Sequence, residues 1–259
     1  MSTLERPRLT NLLERAWSVP LTVVAAPAGS GKSWLLAGFA NAERAEGRKV
    51  LWYQADRATR EESQLARHLH DVLSTADLTP GAAPGSVADL ATELQQAAAA
   101  EVVLVIDDAH VLLDTQAEAG LAQLVEHLPR WLHIAMLSRQ PPRFDLSRLR
   151  LADELLEIGP DELRFRSWEA EDLFRLHHGQ ELPPEEIADL SRRTGGWAAG
   201  LHLYHLAIKG KPAAARRQML MSLPTRLRGC RDYLTGNVLA GLEDDLRGFL
   251  VDASVLGVL

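Results

Sequence analysis

The sequence predicts an α/β protein in which a parallel sheet is flanked by helices and followed by an α-helical part. Up to about residue 165, short apolar runs alternate with helical patterns, and this alternation is typical of a parallel sheet with helices on both faces. A glycine-rich loop joins the first strand to a helix, as in a phosphate-binding unit. Beyond residue 165 the helical patterns continue without a strand pattern. We therefore expect two separate parts.

Composition narrows the class of protein. The chain has 259 residues and a net charge of −7. This length suffices for a large core, and the negative charge argues against nucleic-acid binding by this chain alone. No apolar run approaches the ~20 residues that cross a bilayer. The single cysteine, Cys230, excludes an internal disulfide framework. We therefore expect a cytoplasmic protein with no membrane partner.

The first predicted elements lead into the glycine-rich loop. Residues 4–19 predict a short helix, and residues 21–26 predict the first strand. Gly29 and Gly31 in the loop lack Cβ atoms, so backbone N–H groups there can turn towards phosphate oxygens. This is the P-loop arrangement, although Ala26 stands where the motif G-x-x-x-x-G-K-[ST] has its first glycine.

The loop predicts a P-loop NTPase fold and a site for ATP or ADP with Mg²⁺. Lys32 supplies positive charge for the β- and γ-phosphates, and the Ser33 hydroxyl is placed to ligate Mg²⁺. The alternative is a surface turn that happens to contain GSGKS, but the strand and helix on either side favour the phosphate site. The predicted phosphate-binding residues are Pro27, Ala28, Gly29, Ser30, Gly31, Lys32, Ser33 and Trp34.

Further strands and helices complete the predicted sheet. The stretch from residue 101 to 108 reads EVVLVIDD, and its continuous apolar run is typical of a parallel strand buried on both faces. The helices between the strands carry apolar residues at helical spacing. The predicted strands after the first are residues 49–54, 101–108, 132–137 and 155–158.

Two carboxylates end the apolar strand. Because the carboxyl ends of parallel strands lie at one edge of a sheet, we expect Asp107 to face the P-loop and to hold Mg²⁺ together with Ser33. Asp108 is the candidate to orient or deprotonate an attacking water. Its side chain is shorter than the glutamate of many hydrolytic relatives, so we expect slow turnover. The alternative is that one of the pair only caps the following helix.

Arg139 follows the next predicted strand and can contact a γ-phosphate through its rigid fork of donors. Arg143, Arg148 and Arg150 lie close by in the chain, so an ordinary surface arginine is the alternative. We expect His110 to pack or to form hydrogen bonds rather than to catalyse. The predicted catalytic residues are therefore Asp108 and Arg139.

The part after residue 165 predicts helices. Ser167 is expected to cap the first, whose acidic first turn suits the helix dipole. Pro184 begins the next, Gly195 and Gly196 close it, and a third covers residues 197–208. The predicted domains are residues 1–165, 166–225 and 226–259.

Several motifs together resemble one family. In chain order they are RPRLTNLLERA, VVAAPAGSGKSWLLAGFA, VLVIDDAHVL, a strand ending in LSRQPP, and RTGGWAAGLHLYHLA. The set resembles the large ATP-binding transcription regulators of the LuxR family. These belong to the signal-transducing (STAND) P-loop NTPases, which are related to NB-ARC domains. The resemblance covers nearly the whole chain in the right order.

The resemblance implies a nucleotide-binding domain, a helical domain and the beginning of a winged-helix domain near Arg231. It also implies an ADP-bound resting state that inducer and ATP open. Self-association and DNA binding are then expected of the full-length protein, with DNA contacted only through a missing C-terminal domain. Arg6 and Arg8 resemble a segment that lies beside adenine. Residues 195–199 resemble a turn that closes over the nucleotide, although Ala198 stands where related domains often have proline.

Three functions fit these motifs. The first is a regulatory switch with weak ATPase activity, which the GGWAAGL turn favours. The second is a P-loop enzyme such as a small-molecule kinase, whose Arg-rich lid could only be the loop from Arg139 to Arg150. The third is an AAA-type motor, which needs an arginine acting across a ring of subunits.

Overall fold

The computed structural model describes residues 6–79, 81–97 and 99–223. The chain divides into two compact units with a boundary between Leu163 and Arg164. We call the described residues before this boundary the sheet unit and those after it the helical unit. The predicted winged-helix segment, residues 226–259, and Cys230 within it lie outside the described residues.

A five-stranded parallel sheet forms the centre of the sheet unit, in the strand order β2-β3-β4-β1-β5. Leu21 of β1 pairs with Ile134 on one side and with Leu155 on the other. The predicted α/β fold is confirmed, and each predicted strand agrees with the observed one to within a residue at either end. The strands are β1 (Leu21–Ala25), β2 (Lys49–Gln54), β3 (Val102–Asp107), β4 (Leu132–Ser138) and β5 (Leu155–Ile158).

Helices connect the strands. The N-terminal helix is shorter than expected: α1 covers Pro7–Leu13, and a 3₁₀ turn continues over Glu14–Trp17. Pro7 suits a helix start because the first helical N–H needs no partner within the helix. The others in this unit are α2 (Lys32–Ala45), α3 (Glu62–Ser74), α4 (Val87–Gln96), α5 (Gln116–Glu126), α6 (Ser147–Leu151) and α7 (Pro160–Leu163), with 3₁₀ turns at Arg57–Arg60 and Ala109–Val111.

Apolar side chains cover both faces of the sheet. On β3, Leu104 and Ile106 join the core that contains α3, α4 and α5, whereas Val103 and Val105 join the core that contains α1 and α2. Every residue of β3 is buried, which explains why its sequence is a continuous apolar run. The packed sheet gives the loops at its carboxyl edge a rigid base.

Phe174 and Tyr204 lie fully buried at the centre of the helical unit. Ser167 was expected to cap the first helix, and this is wrong. The cap position is Arg166, whose backbone N–H donates to the Glu169 carboxylate at 2.8 Å. None of the helices in the described part of the chain is long and apolar enough to cross a membrane. The helices of this unit are α8 (Ser167–Asp172), a π-helical turn (Leu173–His177), α9 (Pro184–Thr194), α10 (Ala198–Ile208) and α11 (Ala213–Ser222).

The turn between α9 and α10 is tied to the start of the helical unit. Gly195 ends α9 in the left-handed region at φ 59°. The Gly196 carbonyl accepts a hydrogen bond from the Phe165 N–H at 2.9 Å. A Cβ atom at Gly196 would lie 2.3 Å from the Phe165 carbonyl oxygen, so the close approach of the two backbones requires glycine.

Candidate nucleotide-binding site

The glycine-rich loop connects β1 to α2 at the carboxyl edge of the sheet. Gly29 and Gly31 both have positive φ values, 72° and 84°. Gly31 is the cap residue of α2, which begins at Lys32. Left-handed residues that alternate with right-handed ones turn successive backbone N–H groups inward to form an anion-binding nest, and the helix N-terminus adds further N–H donors. The loop geometry therefore fits a chain of phosphates.

Two side chains hold the loop closed. The Ser30 hydroxyl donates to the Pro27 carbonyl at 2.8 Å. The Lys32 ammonium donates to the carbonyls of Ala26 at 2.7 Å and Pro27 at 3.2 Å. Burial lowers the pKa of Lys32, Asp107 opposes this, and the positive charge of Arg139 lowers it further. A phosphate group here would favour the charged ammonium.

Ser33 and Asp107 meet across the loop and the sheet. The Ser33 hydroxyl donates to Asp107 Oδ1 at 3.1 Å, and the backbone N–H of Asp108 donates to the same oxygen at 2.8 Å. Burial raises the pKa of Asp107, while these two hydrogen bonds act in the opposite direction. A hydroxyl and a carboxylate are the hard oxygen ligands that Mg²⁺ prefers, so the pair fits the expected metal.

The described residues contain no group of three or more His, Cys, Asp or Glu side chains arranged to hold a metal. Mg²⁺ is usually bound through one or two protein ligands together with substrate phosphates and water, so a site formed by Ser33 and Asp107 needs no such group.

Asp108 is held in a special backbone conformation beside the pair. Its φ is 52°, and it occupies the cap position of a 3₁₀ turn without a side-chain cap hydrogen bond. Its carboxylate instead accepts a hydrogen bond from Gln54 Nε2 at 2.6 Å, and His110 Nδ1 lies 3.5 Å from its other oxygen. Asp108 thus occupies the cap position that the alternative predicted, and its backbone carbonyl accepts the Val111 N–H at 3.0 Å, but its side chain forms no cap hydrogen bond.

Gln54 was missed by the sequence analysis. It is the last residue of β2, and the strand register pairs it with Asp107. The available signal was a polar residue at the end of a strand. Its place in the site could be recognised only from the pairing of β2 with β3 in the sheet.

Arg139 lies within electrostatic range of the loop. It directly follows β4, and its charge lowers the pKa of Lys32. Burial lowers the pKa of His110, and Arg139 lowers it further. The other candidate arginines form ion pairs elsewhere in the sheet unit: Arg143 with Asp114, Arg148 with Glu154 and Arg150 with Glu157.

The remaining predicted site residues lie at other positions in the sheet unit. Arg6 is buried and donates to the Leu163 carbonyl at 3.0 Å, and Arg8 donates to the Glu162 carbonyl at 2.7 Å. Both arginines therefore link the start of α1 to α7, and their place beside an adenine stays a prediction.

Pro27, Ala28 and Trp34 are exposed along the loop and the first turn of α2, where a ligand can reach them.

The chain is similar to several known proteins. Residues 19–144 match the model of the AAA domain family. The chain is 31% identical over 98% of its length to the serine/threonine-protein kinase PknK of Mycobacterium tuberculosis. It is 27% identical, again over 98% of its length, to the transcriptional regulator MalT of Cronobacter sakazakii. The chain spans 24% of the PknK sequence and 29% of the MalT sequence.

Solved structures share the fold. A STAND protein with a tetratricopeptide repeat sensor from Pyrococcus horikoshii matches 87% of this chain and 33% of its own, with a TM-score of 0.53 and 16% identity. A Walker-type ATPase of Pyrococcus abyssi matches 94% of this chain and 76% of its own, with a TM-score of 0.52 and 15% identity.

Proposed function

We propose that this chain, which belongs to the AAA-type P-loop ATPases related to MalT, is the nucleotide-controlled switch module of a larger LuxR-family transcription regulator. In this function the bound nucleotide, ADP or ATP, sets the state of the protein, and hydrolysis resets it slowly. Signal sensing and DNA binding then belong to parts outside this chain, in keeping with its net charge of −7 and with the fraction of its relatives that it spans.

Binding follows from the loop and the strand ends. The nest at Gly29 and Gly31 holds the phosphates, and Lys32 neutralises their charge. Ser33 and Asp107 hold Mg²⁺, which supplies charge neutralisation at the phosphates. Arg139 is the residue that distinguishes ATP from ADP, because a guanidinium at the end of β4 can donate to a γ-phosphate that only ATP carries.

The observation that carries the switch function is the hydrogen bond from Gln54 to Asp108 at 2.6 Å. A carboxylate that orients an attacking water must have an oxygen free to accept its proton. Here Gln54 occupies Oδ2 and fixes the direction of the carboxylate, so that only Oδ1 remains for a water, and the short side chain of Asp108 reaches less far than a glutamate. A misplaced base lowers the rate strongly. Slow hydrolysis suits a switch, because each nucleotide state must last long enough to be read.

Nucleotide analysis of the purified protein tests this function. We expect ADP to be released on denaturation, and we expect steady-state phosphate release from ATP far below the ~10 s⁻¹ of a median enzyme. Empty protein with rapid turnover would contradict the switch.

The match to the AAA domain family keeps an ATPase motor as the second candidate. A motor should hydrolyse ATP faster as protein concentration rises, because its arginine acts across subunits. A rate per molecule that is independent of concentration would count against it.

A further inference from the structure

Glu118 connects the two loops that carry Asp108 and Arg139. It lies in the first turn of α5 and is only 7% exposed. One carboxylate oxygen accepts the backbone N–H of Asp114 at 2.8 Å, and the other accepts the backbone N–H of Arg143 at 2.7 Å. A single buried carboxylate thus bridges two segments of backbone that are separated in sequence.

Each bridged segment begins with a residue of the site. The loop that ends at Asp114 starts at Asp108, directly after β3. The loop that contains Arg143 starts at Arg139, directly after β4. A displacement of Arg139 is therefore passed along a short stretch of chain to Glu118 and from there to the loop of Asp108.

The strength of the bridge comes from the carboxylate. Hydrogen bonds from backbone N–H groups to a charged acceptor are stronger than neutral ones, and more so away from water. Asp114 has φ 59°, a conformation that a non-glycine residue keeps only when its surroundings hold it. The ion pair between the side chains of Arg143 and Asp114, which are 62% and 60% exposed, is of the exposed kind that contributes little.

We propose that Glu118 is a positioning residue that couples Arg139 to the loop of Asp108, so that contact with a γ-phosphate at one loop changes the other. The inference rests on the proposed function, because it takes Arg139 as the residue that contacts the γ-phosphate. Glu118 itself touches neither nucleotide nor metal, and its role is to fix the distance between the loops.

The test is Glu118→Gln in the purified chain, with affinities measured for ADP and for a non-hydrolysable ATP analogue in Mg²⁺. The amide keeps one acceptor but turns N–H donors towards the second backbone N–H, which breaks one link. We expect the analogue to bind about 3- to 10-fold more weakly, while ADP affinity changes less than about twofold. Equal losses for both nucleotides, or no loss, would overturn the proposal.

Two control variants separate the bridge from general stability. Glu62 in α3 also accepts a backbone N–H, that of Val87 at 3.1 Å, but it links α3 to α4. Glu62→Gln should leave the ratio of the two affinities unchanged. Arg143→Ala removes the exposed ion pair and keeps the N–H that Glu118 binds, so its effect should be small. A change in the ratio as large as that of Glu118→Gln in either control would contradict a specific role.

The Arg139→Ala background distinguishes failure of this inference from failure of the proposed function. If Glu118 acts through Arg139, Glu118→Gln should change the affinity ratio no further once Arg139 is absent. If Arg139→Ala alone leaves the ratio unchanged, the sensing role of Arg139 is wrong and the coupling falls with it. If Arg139→Ala changes the ratio and Glu118→Gln does not, only the coupling is wrong.

Hydrogen exchange on the unaltered chain gives a second test that does not depend on a variant folding. The ATP analogue, compared with ADP, should slow exchange of the Asp114 and Arg143 amides together. A response of one amide without the other would overturn the coupling.

Discussion

Buried carboxylates in the two units have different partners. In the sheet unit, Asp107 and Glu118 accept hydrogen bonds from the loops at the carboxyl edge of the sheet. In the helical unit, the buried Glu186 accepts one from Tyr204 at 2.9 Å, with the Arg216 side chain 4.0 Å away. The first two carboxylates hold the loops around the candidate nucleotide site, whereas Glu186 joins α9, α10 and α11 inside a core.

Because their partners differ, substitutions of these carboxylates should have different effects on ligand binding and on the stability of the fold. Asp107 is buried at a cost that Mg²⁺ bound there would relieve, because the cation favours the charged carboxylate. Glu186 has its partners within the helical unit, and burial together with Glu186 raises the pKa of the Tyr204 hydroxyl. Substitutions near the P-loop should therefore change ligand affinity more than folding, and substitutions in the helical unit should do the reverse.

The strongest test of this contrast is Lys32→Ala. Its ammonium donates to the carbonyls of Ala26 and Pro27 at the edge of the sheet and not to a core element, so the fold should survive. Loss of charge-assisted hydrogen bonds to phosphate should weaken ADP and ATP binding about 100-fold or more. Titration with a fluorescent nucleotide and a thermal melt measure the two effects.

Lys49 offers the matched control. It begins β2, and its ammonium donates to the Ala76 carbonyl at 3.3 Å. Lys49→Ala should keep nucleotide affinity. If Lys32→Ala binds ATP as tightly as the parent, the P-loop is wrongly assigned.

Asp107→Asn should weaken ligand binding less than Lys32→Ala does, and it should not lower the stability of the fold. Asparagine keeps an oxygen that can accept from Ser33 and from the Asp108 N–H, and it removes the buried charge. Burial raises the pKa of Asp107, so the charged form destabilises the ligand-free protein at neutral pH. We expect an unfolding temperature equal to or above that of the parent and Mg²⁺ affinity lower by about 10-fold.

Isothermal titration of Mg²⁺ into the nucleotide complex measures the metal affinity. Asp153→Asn is the control, since this exposed carboxylate pairs with Arg15 away from the P-loop. An unchanged metal affinity for Asp107→Asn would move the metal site elsewhere.

The sequence predicted the elements whose signals are local. Strands β2 and β5 were predicted to the residue, because apolar runs bounded by turns and helices identify parallel strands. The glycine loop likewise follows from a contiguous motif. Arg139 directly follows β4, as expected, and its role in the site stays a prediction.

Two of the features that the sequence did not predict depend on contacts between distant segments. Gln54 matters only because β2 pairs with β3, and Glu118 in the first turn of a helix reads as a residue that favours the helix dipole. The π-helical turn at Leu173–His177 was also missed, since the pattern of one helix does not reveal an inserted residue. Strand order decides the role of Gln54, and loop packing decides that of Glu118.

The helical unit carries a histidine cluster, which we define as His177, His178, His202 and His205. The rings of His178 and His205 stack at 3.9 Å with an angle of 8°, and His202 lies 5.4 Å from His178. Phe174 packs edge-on against His178 at 5.4 Å. Burial, together with the other three histidines, lowers the pKa of His178 to about 4. Burial lowers the pKa of His205 too, with Lys209 adding to the effect.

This cluster predicts a pH dependence of folding that belongs to the helical unit. The pKa of His178 in the folded protein lies below its ordinary value of 6.5, so the unfolded chain binds protons more readily. The free energy of unfolding is therefore unaffected by His178 above about pH 6.5. It falls as the pH drops towards about 4, because the unfolded chain takes up the proton first. Because His178 is only half buried, we discount the shift for solvent screening and expect a loss of about 1 kcal/mol.

His178→Leu should remove this loss, because leucine fills similar space and the buried Nε2 of His178 has no hydrogen-bond partner among the described residues. Urea unfolding at pH 7.5 and at pH 4.5 gives the change in stability for parent and variant, and the variant should lose about 1 kcal/mol less. His127→Ala is the control, since His127 is exposed on the sheet unit and its removal should leave the parent's pH dependence intact. Carboxylates throughout the chain also titrate in this range, so only the difference between parent and variant reports on the cluster. Equal losses would show that the stacked histidines carry no proton-linked energy, and the contrast between the two units would then rest on Tyr204 and Glu186 alone.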